Sequence, residues 1–386
     1  MIARFAPGNQ VQLLETGSEF FPELLQAIAA ARQEIRLESY IFASDVIGHQ
    51  VAAALAAAAQ RGVRVHVLVD GFGSPGFMQA LGRQLLAAGV QVLIFRPEVS
   101  RFKLRRHRLR RMHRKLACID ARLAFVGGIN IIDDLDPPGS TVPRYDYAVR
   151  LEGPLLAPIH ESMHHLWRLV RWTTLGRRPG KSLRPAVRDD RCGEVNAAFL
   201  VRDNLRHRRD IEDAYLRAIA AAKEQIILAN AYFLPGRRFR HALMAAAKRG
   251  VKVIILLQGR VEYLLLHYAS HTLYGPLLDS GVRIFEYQRS FLHAKVAVVD
   301  AAWATVGSSN IDPFSLLLAR EANVIVRNRG FAEALRGSLE RAMAQGAVEI
   351  ERKSWERKSL AARAVRWLAY GLVRLMMGLA GYGNMR

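Results

Sequence analysis

The sequence predicts an α/β protein made of two similar halves, each a sheet sandwiched between helices, packed face to face about a pseudo-twofold axis with the functional residues at the interface. Three observations predict it. The stretch LQAIAAARQEIRLESYIF at Leu25 returns as LRAIAAAKEQIILANAYF at Leu216, and AAAQRGVRVHVLVDG at Ala57 returns as AAAKRGVKVIILLQG at Ala245. Within each half, amphipathic helical stretches alternate with short β-rich runs, the pattern of a largely parallel, helix-covered sheet. Between the halves, GRRPGKSLRPAVRDDRCGE over 176–194 is rich in Gly, Pro and charge and has no apolar periodicity, so it reads as a linker.

In chain order this gives a first domain over 1–185, a second over 186–346, and a tail over 347–386. At 386 residues the chain is too long for one ordinary core, and half of it is apolar, enough for each half to bury its own. The tail, ERKSWERKSLAARAVRWLAYGLVRLMMGLAGYG, lies outside the repeat. From Ser359 to Tyr382 it sets Leu, Val, Trp, Tyr and Met among Arg363, Arg366 and Arg374, the makeup of a helix lying in a membrane interface. Its most apolar run, from Trp367, is broken by Arg374 and is too short to span.

Charge narrows the partner. With 56 Lys and Arg against 34 Asp and Glu, the net charge is +22, which favours an anionic partner without choosing nucleic acid or lipid. The charge peaks at RFKLRRHRLRRMHRK, 101–115, where nine of fifteen residues are basic and two more are His. Two cysteines, Cys118 and Cys192, form no secreted-type disulfide framework, and MIARFAPGNQVQLLE lacks the features of a signal peptide. A reducing cytosolic compartment is expected.

The basic run ends in His113-x-Lys115-x4-Asp120, followed by Gly127-Gly128-x-Asn130; the second half carries His293-x-Lys295-x4-Asp300 and Gly307-Ser308-Ser309-Asn310. The runs HRKLACID and HAKVAVVD read as strands, so His and Lys, two apart, share a face. A Lys supplies a point charge and an Asn amide a donor, both suited to phosphate oxygens, while a His attacks or moves protons near neutral pH. Covalent cleavage of a phosphodiester needs two histidines, a nucleophile on phosphorus and an acid for the leaving oxygen. Two halves facing each other supply both.

These paired motifs resemble the HKD signature of the phospholipase D superfamily. With LESYIF, DYAVRLEGP and ANAYFLPG, the chain resembles bacterial cardiolipin synthases of the short type without N-terminal transmembrane helices. The resemblance implies phosphatidyl transfer between two phosphatidylglycerol molecules through a phosphohistidine intermediate, with no cofactor and no metal. It makes His113, Lys115, Asp120, His293, Lys295 and Asp300 the catalytic motif residues, Asp120 and Asp300 holding loops rather than touching substrate. Lys115, Asn130, Lys295 and Asn310 clamp phosphate, and Ser308 or Ser309 adds a hydroxyl. Each histidine is oriented by a downstream carboxylate, Asp146 for His113 and Glu321 for His293. His113 is expected to be the nucleophile. Gly128 departs from the family's Gly-Ser, which leaves that side without a hydroxyl.

Rival readings attach to three features. The helix HESMHHLWRLVRW places His160, His164 and His165 together, and its Trp and Leu favour packing over metal ligation. The loop DDLDPPG at Asp133 reads as a lid over the first motif, not as a calcium loop. The alternative function is a nuclease-like phosphodiesterase with water as acceptor; the amphipathic tail, which a nuclease does not need, favours anionic phospholipid and a membrane surface over nucleic acid. The expected location is peripheral, on the cytoplasmic face of the cell membrane. The sequence leaves the oligomeric state open.

Overall fold

The computed structural model describes residues 3–97, 110–134, 142–175, 190–203, 206–261, 264–312, 319–352 and 360–377. In the first half, strand β1 (Ala6–Glu15) leads into α1 (Thr16–Ala30), β2 (Glu34–Ser39), α2 (Val46–Gln60) and β3 (Arg64–Asp70). A π-helical turn (Met78–Gly82) runs into α3 (Arg83–Ala87), followed by β4 (Gln91–Phe95), β5 (Arg111–Met112), β6 (Lys115–Ile119), β7 (Leu123–Gly127), β8 (Tyr147–Glu152) and α4 (Leu156–Leu175).

The second half repeats this order. It runs β9 (Val195–Arg202), α5 (Asp210–Ala221), β10 (Gln225–Asn230), α6 (Arg237–Lys248), β11 (Lys252–Gln258), α7 (Leu264–His271), α8 (Tyr274–Asp279), β12 (Arg283–Tyr287), β13 (Lys295–Val299), β14 (Trp303–Gly307), β15 (Ala319–Arg327) and α9 (Arg329–Gly346). The tail contributes a short strand, β16 (Ala347–Glu349), paired antiparallel to β12, and then α10 (Leu360–Met377).

The strand order is β4-β3-β2-β6-β7-β8-β1 in one half and β12-β11-β10-β13-β14-β15-β9 in the other. The halves join through β1, whose residues 10–15 pair with β8 while Ala6 and Asn9 pair with β9. The sheets are mixed, which corrects the expectation of a largely parallel arrangement. Helices α2 and α6 give the parallel pairs β2/β3 and β10/β11, because a parallel return needs a crossover. The motif strands have no crossover and turn back as hairpins, β6/β7 and β13/β14. Both hairpins turn on left-handed residues, Asp120 and Ala121 at φ 52° and 51°, Asp300 and Ala301 at 51° and 37°.

Two cores lie on the outer faces, one under α1 to α3 around Leu24, Ile28, Val51 and Leu55, the other under α5, α6 and α8 around Tyr215, Phe239 and Leu243. The third joins the halves. Leu116, Val126, Tyr147 and Val149 pack with Val296, Val306, Val324 and with α4 and α9 residues such as Ile159 and Leu335. Burying this apolar area at roughly 25 cal/mol per Å² fixes the halves face to face, so both motif strands meet the same interface.

Candidate active site

Strand alternation sorts the motif side chains. Arg114, between the motif His and Lys, points to the opposite face and is buried, its guanidinium pairing with both Glu38 carboxylate oxygens and with Ser162 of α4. His113 and Lys115 therefore share the interface side, as the period of two requires.

Each motif then crosses to the other half. The backbone N–H of His113 donates to the carbonyl of Arg320 at 2.9 Å, and its Nδ1 meets Glu321 Oε1 at 3.0 Å. In mirror fashion the N–H of His293 donates to the Tyr145 carbonyl at 2.8 Å, and its Nδ1 meets Asp146 Oδ2 at 2.6 Å. The assignment of Asp146 to His113 and Glu321 to His293 is thus corrected: each carboxylate serves the histidine of the opposite half. The reason is topological, since β5 pairs with the start of β15 rather than with its own sheet. A carboxylate accepts, so it holds the proton on Nδ1 and turns the Nε2 lone pair outward.

The two lysines are buried between these pairs. Lys115 donates to the carbonyl of His113 at 2.6 Å and lies 5.3 Å from the Tyr40 ring centre. Lys295 donates to Asp146 Oδ2 at 3.3 Å and to the carbonyl of its own motif histidine. Burial, reinforced by the charge of Lys295, brings Lys115 down to about 7, and burial brings Lys295 down to about 8 against the pull of Asp146. Burial also lowers both histidines, His293 well below the ordinary range with Lys295 adding to the effect. Burial alone pushes Asp146 up, but Lys295 and His293 together outweigh it and hold the carboxyl below its usual range. The site thus presents neutral imidazoles, able to attack or accept a proton, beside lysines whose charged form an incoming phosphate would stabilise.

The remaining site residues divide. Asn130 and Asn310 are buried at the ends of their hairpins; Asn130 Oδ1 accepts the Ile41 N–H at 3.1 Å, and Asn310 Oδ1 has no hydrogen-bond partner among the described residues. Ser308 turns away from the phosphate role expected of it, because its hydroxyl donates to Glu321 Oε2 at 2.5 Å and accepts the Ala322 N–H at 3.0 Å. Ser309 is buried with its hydroxyl 3.5 Å from the Asn310 carbonyl. Gly128 has a steric cause: a Cβ there would collide with both Asp146 carboxylate oxygens.

Asp120 and Asp300, grouped with the catalytic residues by their motif, stand at the far ends of β6 and β13. Asp120 accepts the N–H groups of Arg32, Gln33 and Glu34 at 2.9, 2.7 and 2.8 Å; Asp300 accepts those of Lys223, Glu224 and Gln225 at 2.8, 2.8 and 2.9 Å. They hold the helix-to-strand turns that enter β2 and β10. A catalytic role for their carboxylates is corrected on that ground.

Of the clustered histidines, His160 is buried and bonded to Glu34 at 2.7 Å, His164 is buried, and His165 is exposed. Burial pushes Glu34 up, but His160 and Arg36 bring it down to about 2, so this is a paired structural network. The lid reading of Asp133 to Gly139 lies mostly outside the described residues, as do Arg101 to Arg108 of the basic run.

A family model described as "Cardiolipin synthase, PLD-like domain" matches residues 24–167 and 215–343, one block in each half. The chain belongs to this cardiolipin synthase, PLD-like family. Cardiolipin synthase B of Escherichia coli K12 is 40% identical over 97% of this chain and 90% of its own length. Cardiolipin synthase A of Erwinia tasmaniensis is 30% identical over 94% of this chain and 75% of that protein. Phosphatidylserine synthase of Haemophilus influenzae shares the fold, with a TM-score of 0.69, 14% identity and coverage of 95% and 93% of the two chains.

Within this cardiolipin synthase-family site, motif reasoning missed Tyr40. Its ring meets His113 edge-on at 4.7 Å and faces Lys115. The repeat alignment contained the signal: Tyr40 in LESYIF falls opposite Ala231 in LANAYF.

Proposed function

We propose that this protein is a phosphatidyltransferase that joins two phosphatidylglycerol molecules into cardiolipin and releases glycerol. The observation that carries the reading is the pair of crossed histidine–carboxylate contacts around two buried lysines. Lys115, Lys295, Asn130 and Asn310 clamp the donor phosphate. One imidazole Nε2 attacks phosphorus while the other histidine, which takes a proton from solvent onto Nε2 as the anionic lipid phosphate binds, gives that proton to the departing glycerol oxygen, leaving a phosphatidyl-histidine. That second histidine then takes the proton from the hydroxyl of the second lipid, whose oxygen displaces the first histidine from phosphorus. The lysines supply the charge that stabilises the phosphoryl oxygens, which is positioning and electrostatics without redox chemistry.

A membrane-surface location is part of the reading. Helix α10 packs through Ala369, Tyr370 and Val373 on the side of α7 and leaves Trp367, Leu368, Leu372 and Leu375 exposed, with Leu264 of α7 beside them. No helix among the described residues is long and apolar enough to cross a membrane. An exposed apolar stripe on a helix that also exposes Arg374 suits adsorption to an anionic leaflet, here assigned to the cytoplasmic face.

Thin-layer analysis of lipids after incubation with phosphatidylglycerol, run beside a plasmid digestion, tests the reading. Cardiolipin with intact plasmid is expected. Nicked plasmid with unchanged lipid would establish the nuclease alternative.

A further inference from the structure

The two half-sites share a plan but differ in their surroundings. Position by position, Asp70, Phe72 and Arg111 of the first half correspond to Gln258, Arg260 and Phe291 of the second. Asp70 and Gln258 do the same backbone work, accepting the N–H of Met112 and of Leu292, each at 2.9 Å. Cation and aromatic have exchanged places: Arg111 lies over the Phe72 ring at 4.7 Å, and Arg260 lies over the Phe291 ring at 5.9 Å.

The exchange has an electrostatic result. Arg111 has an acid beside it, Asp70 at 3.8 Å, whereas Gln258 is neutral. Arg144 also lies over Phe291, at 5.6 Å, and the matching position of the second half is Ala319. Two guanidinium groups therefore flank the residue two before His293. Arg260 is braced from behind, Nε donating to the Gln288 carbonyl at 2.8 Å and Nη2 to the Arg289 carbonyl at 3.0 Å. Its Nη1 donates to no protein group among the described residues.

Space differs in the same sense. Tyr40 fills the ground beside His113, and Ala231 stands at the equivalent place beside His293. A recess opens there, lined by Ala231, Gln258, Arg260, His267 and Ser270. Two of its lining residues hold the chain on either side of His293: the Ala231 N–H donates to the Ala294 carbonyl, and Gln258 accepts the Leu292 N–H.

We propose that Arg260, with Arg144 across the Phe291 ring, binds the phosphate of the acceptor lipid, making the recess beside His293 an acceptor subsite. The inference rests on the phosphatidyltransferase reading and adds a second anion site to it. A product with two phosphates demands one: when the acceptor hydroxyl meets phosphorus, the acceptor's own phosphate lies one glycerol unit away and cannot share the lysine clamp. Water as acceptor needs no such site. Braced arginine donors suit phosphate oxygens, and the Phe291 face holds the guanidinium plane. Displacement at phosphorus runs in line, so an acceptor entering beside His293 makes His293 its base and places the phosphatidyl group on His113.

The test uses the full-length protein, phosphatidylglycerol in mixed micelles as donor, and two acceptors, dihexanoyl phosphatidylglycerol and free glycerol. Wild type should prefer the phosphate-bearing acceptor. Arg260→Ala should lose about ten- to a hundredfold of that preference, the worth of one hydrogen bond to a charged group, and Arg260→Lys should recover part of it. Ala231→Tyr, which keeps every charge, should lose it by filling the recess. Equal losses with both acceptors in all three variants, or an unchanged preference, would overturn the subsite while leaving the transferase reading in place. Wild type that transfers to neither acceptor would overturn both.

Discussion

Glu321 lies in the second half of the chain, yet its carboxylate orients His113 of the first, 3.0 Å away, while Asp146 returns the arrangement to His293 at 2.6 Å. Neither half is a complete site, because each imidazole is fixed by a group that arrives only when the halves pack.

Crossed orientation predicts crossed energetics. Glu321→Gln and Asp146→Asn should each cost about 10² to 10⁴ in kcat, since the wrong tautomer disables an acid or base. In double-mutant cycles, His113→Ala should mask Glu321→Gln and His293→Ala should mask Asp146→Asn, with the other combinations compounding. Masking between His113 and Asp146 would refute the crossed assignment.

Lys115, at about 7, makes the free site sensitive to pH. Its folded value lies below its unfolded one, so burying the charged form weakens the fold at low pH, and the penalty fades as pH rises from about 7 towards 10.5. Lys115→Met should therefore raise the melting temperature more at pH 6 than at pH 9 while abolishing transfer. Calorimetry should also find inorganic phosphate binding coupled to proton uptake above pH 7. A uniform stability change across that range would contradict the buried-cation picture.

The glycine at 128 and the serine at 308 answer different carboxylates. Gly128→Ser should push Asp146 off His293 and cost more than tenfold in rate. Ser308→Ala removes one hydrogen bond from Glu321 and should cost less, with the loss expressed in kcat and not in KM. Steady-state kinetics on a soluble phosphodiester distinguishes them.

The halves, the motif pairs and the placing of His and Lys on one face were legible because repeats and a period of two are local signals. The crossing was not. Glu321 follows His293 by 28 positions and Asp146 follows His113 by 33, so proximity in sequence pairs them within a half, and only the pairing of β5 with β15 reverses that. The parallel-sheet expectation failed at the hairpin turns for a similar reason: a left-handed Asp-Ala pair leaves no mark in hydrophobic periodicity. Ser308 looked like a phosphate donor because its chemistry suits one, and its neighbour Glu321 is visible only in space.

Motif aspartates that hold turns should behave as stability residues. Asp120→Ala or Asp300→Ala leaves three backbone N–H groups to water and should cost about 2 kcal/mol. Activity per folded molecule should fall less than tenfold. Denaturation midpoints and active-site titration together decide this, and a thousandfold loss at unchanged stability would return the aspartates to the chemistry.

The apolar face of α10 predicts binding that salt does not screen. Replacing Trp367, Leu368 and Leu372 with Ser should weaken adsorption to vesicles containing phosphatidylglycerol at every salt concentration. Replacing Arg105, Arg106, Arg108 and Arg110 with Ser should weaken it at low salt only. Sedimentation with vesicles over a salt series separates the two, and unchanged binding after the α10 substitutions would remove the helix from the docking surface.

Paired-histidine transfer between two phosphatidylglycerols is tested most directly by mass spectrometry of products from phosphatidylglycerol deuterated in its headgroup glycerol. One deuterated glycerol released for each cardiolipin that retains one deuterated glycerol, with neither formed by His113→Ala or His293→Ala, is the predicted result. Phosphatidic acid in place of cardiolipin, or full turnover in either histidine variant, would contradict it.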